Sequence, residues 1–235
     1  THADFPQADD KTIETGEGTV NLRRGQSNVM ADKKVHYKGH VVAAVAAVDR
    51  NTAEIAAQSI KVEYEVLPSI SDVDAAMADG ASVILEGLVG DHLGEKVENT
   101  NVARVFRHEF GNVDDAFANS DVVIERTVEM SMVHQGYIEP HNATAIWAQD
   151  DNLTVWSSTQ GTFGVRSQVA GLLHMAESKV KVNYVEIGGG FGGKTVVYLA
   201  PIAALLSRKA GGRPVKLIMD RSSVFEATGP APGGK

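Results

Sequence analysis

Residues 188–195 read Gly-Gly-Gly-Phe-Gly-Gly-Lys-Thr, which places five of the chain's 23 glycines within six positions. Glycine gives up more conformational freedom on folding than any other residue, so such a cluster is expected where backbone turns sharply or touches something closely. Successive N–H groups in a loop of this kind form a concave nest of donors, suited to phosphates, pterin edges or oxygens on a metal. A tight strand-to-helix turn without a ligand is the plainer alternative. The same residues match G-x-x-x-x-G-K-[ST], a P-loop, with 215–220 as the apolar strand ending in a magnesium-binding Asp. Three features weigh against a nucleotide hydrolase. Pro201 falls seven residues after Lys194, inside the helix a P-loop needs. Only 40 residues follow Thr195, few for the rest of a nucleotide-binding sheet. Phe191 also sets a bulky ring where phosphates would be wrapped.

Other groupings carry less. His134, Glu139 and His141 have a spacing that could bind zinc, but Pro140 between them favours a structural turn. Asp114 with Asp115 and Asp150 with Asp151 read as a helix start and a hairpin turn, since neither pair has an apolar setting that would raise a carboxyl pKa. No Ser/His/Asp grouping stands out. The chain has no cysteine, which removes disulfides, thiolate metal ligands and cysteine nucleophiles, so any redox chemistry must use a cofactor held without thiolates from this chain. A net charge of −8 with no Lys/Arg cluster argues against nucleic acid as a partner. At 235 residues, 43% hydrophobic and 22% charged, the composition is that of one large or two modest globular domains. The longest apolar run, 41–48, is eight residues, against the roughly 20 of a membrane span, and a cytoplasmic location is expected.

The elements that must position the loop follow from periodicity. The first 32 residues, with glycines at 16, 18 and 25, show little period. Residues 35–37 and 40–48 read as strands, the second apolar enough for both faces to be buried. Asn51 with Glu54 predicts an N-cap and a helix to about Ser59, and the strict alternation of 60–66 a half-buried strand ending at Pro68. A polar stretch with Gly80, Gly87, Gly90 and Gly94 is the best domain boundary. Beyond it come a helix at 114–119, a strand at 122–130, and a hairpin of 143–147 with 153–156 around a polar turn. Val165, Val169, Leu172, Leu173 and Ala176 mark one helix face, followed by a strand from Val180, a helix around 202–209 and a strand at 214–219. Thr1 is not an initiator Met, and the turn-rich 229–235 reads as a connection cut through; both ends are expected to be processed or truncated.

Several motifs in order resemble the molybdenum-binding subunit of the molybdenum hydroxylases, the xanthine oxidase, aldehyde oxidase and carbon monoxide dehydrogenase family. They are Ser158-Thr159-Gln160, Arg166 six residues on, and Gly-Gly-Gly-Phe-Gly-Gly-Lys at 188–194. Upstream, 35–60 with Val-Glu-Tyr-Glu-Val-Leu-Pro at 62–68 is similar to that family's α/β-hammerhead domain. His-Glu-Phe-Gly-Asn-Val at 108–113, Ile-Glu-Pro-His at 138–141 and Arg-Pro-Val-Lys at 213–216 extend the likeness to about residues 33–226.

The resemblance implies an α+β chain: an N-terminal hammerhead domain at 1–79, a linker at 80–100, and the first part of a mixed α+β molybdopterin-binding domain at 101–235. It implies molybdopterin as cofactor, in some members a dinucleotide, whose own sulfurs hold the metal, with 2Fe-2S and FAD on partner subunits or domains. Gln160 would donate to an oxo ligand on molybdenum, a task suited to a non-titrating amide, while the backbone of Gly189, Gly190, Gly192 and Gly193 and the ring of Phe191 would face the cofactor. Equally, Gln160 could be a helix-start residue bonded to backbone and Phe191 an ordinary core ring. Purine-oxidising members carry a glutamate where Thr195 stands, so a purine substrate is doubtful, with Thr195 lining the substrate pocket. Lys194 could help pack or neutralise the site, or cap the loop through backbone carbonyls. The family hydroxylates a carbon with water, using a glutamate base near its C-terminus. That base is expected beyond residue 235, in the C-terminal half of the subunit, so the isolated chain should be inactive. A non-catalytic scaffold that only binds a partner is the remaining alternative.

Overall fold

A computed structural model describes residues 1–15 and 19–235; Gly16 and Gly18 lie outside the described residues. In chain order the elements are β1 (Thr12–Glu14), β2 (Thr19–Asn21), α1 (Leu22–Val29), α2 (Arg50–Gln58) and α3 (Val73–Met77). Next come β3 (Val89–His92), β4 (Glu95–Glu98), β5 (Arg104–Val105) and α4 (Val113–Ala118). The last stretch holds β6 (Asn142–Trp147), β7 (Leu153–Ser157), α5 (Thr162–Leu172), β8 (Val180–Asn183), α6 (Ala200–Lys209), β9 (Val215–Ile218) and α7 (Arg221–Ala227). The chain divides into two compact units, one of residues 1–61 with 129–235 and one of 62–128.

The first unit is built on a four-stranded sheet in the order β8-β7-β6-β9. β6 pairs antiparallel with both β7 and β9, while β7 and β8 run parallel, joined through α5. A helix is the usual solution for a parallel crossover, because the chain must return the length of the strand before it can pair again. Alternation decides which face is buried. Ala143, Ala145 and Trp147 of β6 and Leu153 and Val155 of β7 turn inward against Val165, Val169 and Leu172 of α5 and Ile202 and Ala203 of α6. α1 joins the same core through Leu22 and Val29, so close to α5 that a Cβ on Gly171 would stand 2.6 Å from Leu22 Cδ2. Gln26 completes the joint by donating to Pro6 O at 2.7 Å and Leu172 O at 3.1 Å.

The hairpin, α4, α5, α6, β8 and β9 lie close to where periodicity puts them. The strands expected at 35–37, 40–48, 60–66 and 122–130 are not found. Residues 41–45 are half-buried and Val41 and Ala44 touch the core, but no strand pairs with them, and Val41 O instead accepts the Ala31 N–H at 2.7 Å. At 60–66 and 122–130 both faces are exposed. Alternation suits a pleated surface, but without a neighbouring strand no ladder forms. The cap of α2 is Asp49, whose carboxylate accepts the Thr52 N–H at 2.8 Å, and not Asn51. Pro201 breaks nothing, because α6 starts late enough to hold it in the first turn. Within 229–235, Ala231 and Gly234 form antiparallel bridges to Val133 and Met130.

The second unit holds a three-stranded sheet in the order β4-β3-β5, with β3 and β4 antiparallel and β3 and β5 parallel. Residues 80–100, expected as a linker, carry the β3–β4 hairpin. Asn101 ties this unit together by donating to Ala76 O and Ser82 O at 3.0 Å each and accepting the Ile84 N–H at 2.8 Å.

One buried hydroxyl links α6 to the sheet. Ser207, with no solvent exposure, accepts the Trp147 N–H at 2.9 Å and donates to Arg213 O at 2.7 Å. Ser207→Ala leaves the Trp147 N–H unpaired in the core. The expected loss is about 1–3 kcal/mol of folding stability, read as a lower urea midpoint at unchanged slope.

Candidate functional site

The sheet topology gathers one end of four strands. Because β6 is antiparallel to β7 and β9, the segment entering β6 lies beside those leaving β7 and β9, and β8 leaves at the same end as its parallel neighbour β7. Glu139 precedes β6, Gln160 follows β7, the glycine loop follows β8 and Arg221 follows β9. Ligands of α/β sheets collect outside the carboxyl ends of parallel strands, and Gln160 and the loop both leave such ends.

Each of the five glycines has its own reason. A Cβ on Gly188 would sit 2.5 Å from Glu139 Cβ, one on Gly190 2.5 Å from Gln160 Oε1, and one on Gly193 2.8 Å from Tyr137 Cε1. Gly189 and Gly192 have φ of +91° and +88°, the left-handed region. Above Gly192 there is open space. Between them Phe191 also has positive φ, +51°, and its ring is 74% exposed, so it is not a core ring. The strain of a non-glycine residue in that region points to a position fixed by its surroundings. The Gly193 N–H closes the turn on Gly190 O at 2.8 Å, and Thr195 Oγ1 donates back to Gly192 O at 3.2 Å.

Gln160 faces the loop with one half of its amide. Its Oε1 accepts the N–H groups of Gly192 at 2.9 Å and Lys194 at 3.2 Å, and its own N–H donates to Lys194 O at 3.1 Å. Two converging donors identify that atom as the oxygen. The NH2 group is left without a hydrogen-bond partner among the described residues. Gln160 is thus both bonded to backbone and able to donate.

Lys194 packs the site from within and does not cap the loop through backbone carbonyls. Its ammonium turns inward, to Glu139 Oε2 at 2.8 Å, with no exposure of the side chain, and lies 4.9 Å from the Tyr137 ring centre. No helix begins at this lysine. Residues 188–195 are therefore not a P-loop, which needs that lysine on phosphate and a helix starting there. Glu139 Oε2 also accepts the Ser158 hydroxyl and the Gly188 N–H, each at 2.8 Å, while Oε1 accepts Asn142 Nδ2 at 3.1 Å. Burial would raise its pKa, but the Lys194, Gly188, Ser158 and Asn142 hydrogen bonds outweigh it and hold the carboxyl at about 2.

Beneath the loop, His134 Nδ1 accepts the Gly136 N–H at 3.0 Å, leaving Nε2 to donate to Thr228 Oγ1 at 2.9 Å. Thr228 spends its proton on Val224 O at 2.7 Å, so the Tyr137 hydroxyl, 3.1 Å away, donates to Thr228 and accepts from His141 Nε2 at 2.7 Å. Burial, the Lys194 charge and His134 press the His141 pKa down to about 4, so this histidine is neutral. His134, Glu139 and His141 serve this scaffold, and no group of three or more metal-ligating side chains is found among the described residues.

Glu139 and Ser158 were legible only as parts of motifs, while Tyr137 and two further supports were missed. Gln168 of α5 donates to Thr195 O at 3.0 Å and accepts the Val197 N–H at 3.1 Å. Gln135 lies against Gly193, its Oε1 buried and unpartnered. A loop braced from below, a free amide donor, an orphan acceptor and an open outer face suit a large planar group approaching backbone.

Acid should loosen this site from two directions. Between pH 6.5 and about 4 the unfolded chain binds a proton at His141 that the folded chain refuses, so stability falls as pH drops through that window. Glu139 adds a further loss between 4.5 and about 2. His141→Gln should flatten the first window by on the order of 2 kcal/mol, measured as unfolding midpoint against pH.

Comparison with known proteins gives the family. Residues 94–233 match the molybdopterin cofactor-binding domain model, and residues 1–68 match the a/b hammerhead domain of aldehyde oxidase and xanthine dehydrogenase. The chain is 34% identical over 204 residues to the carbon monoxide dehydrogenase large chain of Hydrogenophaga pseudoflava, covering 85% of this chain and 25% of that one. It is also 34% identical over 209 residues to the xanthine dehydrogenase molybdenum-binding subunit of Escherichia coli O157:H7, covering 88% and 26%. Reconstituted CO dehydrogenase from Oligotropha carboxidovorans superposes with a TM-score of 0.73 at 30% identity, over 86% of this chain and 26% of that one. The chain thus spans about a quarter of the length of these relatives. With the cofactor-binding model covering more than half of it, the chain belongs to the molybdopterin cofactor-binding domain family of the molybdenum hydroxylases.

Proposed function

We propose that this chain forms one wall of the molybdopterin site in the molybdenum-binding subunit of an oxidoreductase. The enzyme hydroxylates an aldehyde, an N-heterocycle or a similar small molecule with water, or oxidises carbon monoxide. The observation that carries this reading is the Gln160 amide, whose oxygen is fixed by two loop N–H groups while its nitrogen is free beside an open glycine face. The cofactor, when bound, supplies the two-electron redox chemistry and brings its own sulfur ligands, which suits a chain without cysteine.

The chain's own residues bind and orient. The backbone of Gly189, Gly190, Gly192 and Gly193 and the exposed ring of Phe191 would hold the cofactor, with Gln160 Nε2 donating to it. Thr195 would stand toward the substrate, its hydroxyl turned back onto Gly192 O, so it presents no charge to a heterocycle. The base, the remaining cofactor contacts and the iron–sulfur and flavin groups would come from the rest of the subunit and from its partners. In support, the unit formed by 62–128 exposes Tyr64, Val66, Phe106, Phe110, Val122 and Ile124, more apolar surface than a free-standing domain keeps in water.

The complete subunit, purified from a cofactor-competent host, should contain molybdenum and pterin in equal amounts; absence of both would sink the proposal. Alone, the 235-residue chain should turn over no aldehyde, heterocycle or carbon monoxide. Gln160→Glu keeps an acceptor for the two loop N–H groups, removes the donor and sets a negative charge in its place. Turnover should fall about 100-fold, the usual cost of deleting one preorganised donor, with molybdenum and pterin content retained. Loss of cofactor would instead make Gln160 a purely structural residue.

A further inference from the structure

We propose that Glu139 is a positioning residue that sets where the Gln160 amide points. This rests on the function proposed above. The carboxylate touches three segments at once: the first residue of the glycine loop through the Gly188 N–H, the last part of it through the Lys194 ammonium, and the approach to Gln160 through the Ser158 hydroxyl. The backbone reinforces the first contact, since the Glu139 N–H donates to Gly188 O at 3.2 Å.

From Lys194 the constraint passes directly to Gln160. The Lys194 carbonyl accepts the Gln160 N–H at 3.1 Å and the Thr159 hydroxyl at 3.1 Å, and the Lys194 N–H donates to Gln160 Oε1 at 3.2 Å. Residue 194 therefore grips residue 160 with its main chain while its side chain is pinned by Glu139. The ammonium cannot swing to water, because its side chain has no exposed surface. A buried charge stripped of its partner costs several kcal/mol, so the pair fixes the end of the loop within hydrogen-bond tolerance. A donor must be held this tightly to discriminate between the ground state and the transition state of a bound reactant.

Removing Glu139 alone would strand the lysine, so the test neutralises both partners. Three forms of the complete enzyme are compared with the parent: Gln160→Glu, the pair Glu139→Gln with Lys194→Met, and the combination. If Glu139 acts through Gln160, the paired change lowers kcat at least tenfold when Gln160 is present and less than twofold when residue 160 is already changed. KM should change little. Amide hydrogen exchange across 188–197 of the cofactor-loaded enzyme should accelerate in the paired variant while exchange in β6 and β7 stays unchanged. Losses that add independently, or unchanged exchange in the loop, would overturn the inference and leave the proposed function standing. Loss of cofactor from the paired variant would also overturn it, by assigning the pair to cofactor retention. Undiminished turnover in Gln160→Glu alone would strike the proposed function itself.

Discussion

The fold around the site depends on one charge pair, buried at its lysine and half-buried at its glutamate. The Lys194 ammonium has no contact with water, and its charge is tolerable only because Glu139 stands 2.8 Å away and the Tyr137 ring lies beside it. That requirement reaches far along the chain, since the partners are 55 residues apart. It is met because the strands following Glu139 and preceding Gly188 belong to one sheet, whose register delivers both residues to the same end. The hydroxyl and imidazole network through Tyr137, Thr228, His134 and His141 supplies a neutral floor beneath the pair.

What local sequence could show was the loop itself, the hairpin and the helices around it, because each carries its signal within a few residues. Five clustered glycines, an alternating pair of apolar runs around a polar turn, and the spacing of Val165, Val169 and Leu172 are all short-range facts. The failures share a different cause. Residues 40–48, 60–66 and 122–130 have the composition of strands, yet a strand exists only where another segment offers its backbone, and periodicity carries no information about that neighbour. The partner of Lys194 is hidden for the same reason: nothing near the lysine in sequence announces burial, and its fate is decided by a glutamate 55 residues away that reads, beside Pro140, only as part of a turn.

The divided amide of Gln160 joins structure to chemistry. One end is spent on holding the loop and the other has no partner among the described residues, so in the proposed site a single side chain would set the distance between protein backbone and cofactor. An isolated donor at the same place would need its orientation fixed by packing. Here the orientation is a by-product of closing the loop, and rigidity of the loop and aim of the donor are one property.

The close approaches at Gly188, Gly190 and Gly193 carry an evolutionary consequence. Each glycine answers to a different side chain, Glu139, Gln160 and Tyr137 in turn, at separations that no methyl group could enter. Drift in the loop is therefore not free to proceed one position at a time. Because Gly188 meets the Cβ of residue 139, which every residue but glycine carries, it should stay glycine even in a lineage that lost Glu139, whereas Gly190, which meets the outer part of the Gln160 side chain, is released only when residue 160 shortens. A run that looks like one motif is three pairwise contracts written on adjacent residues.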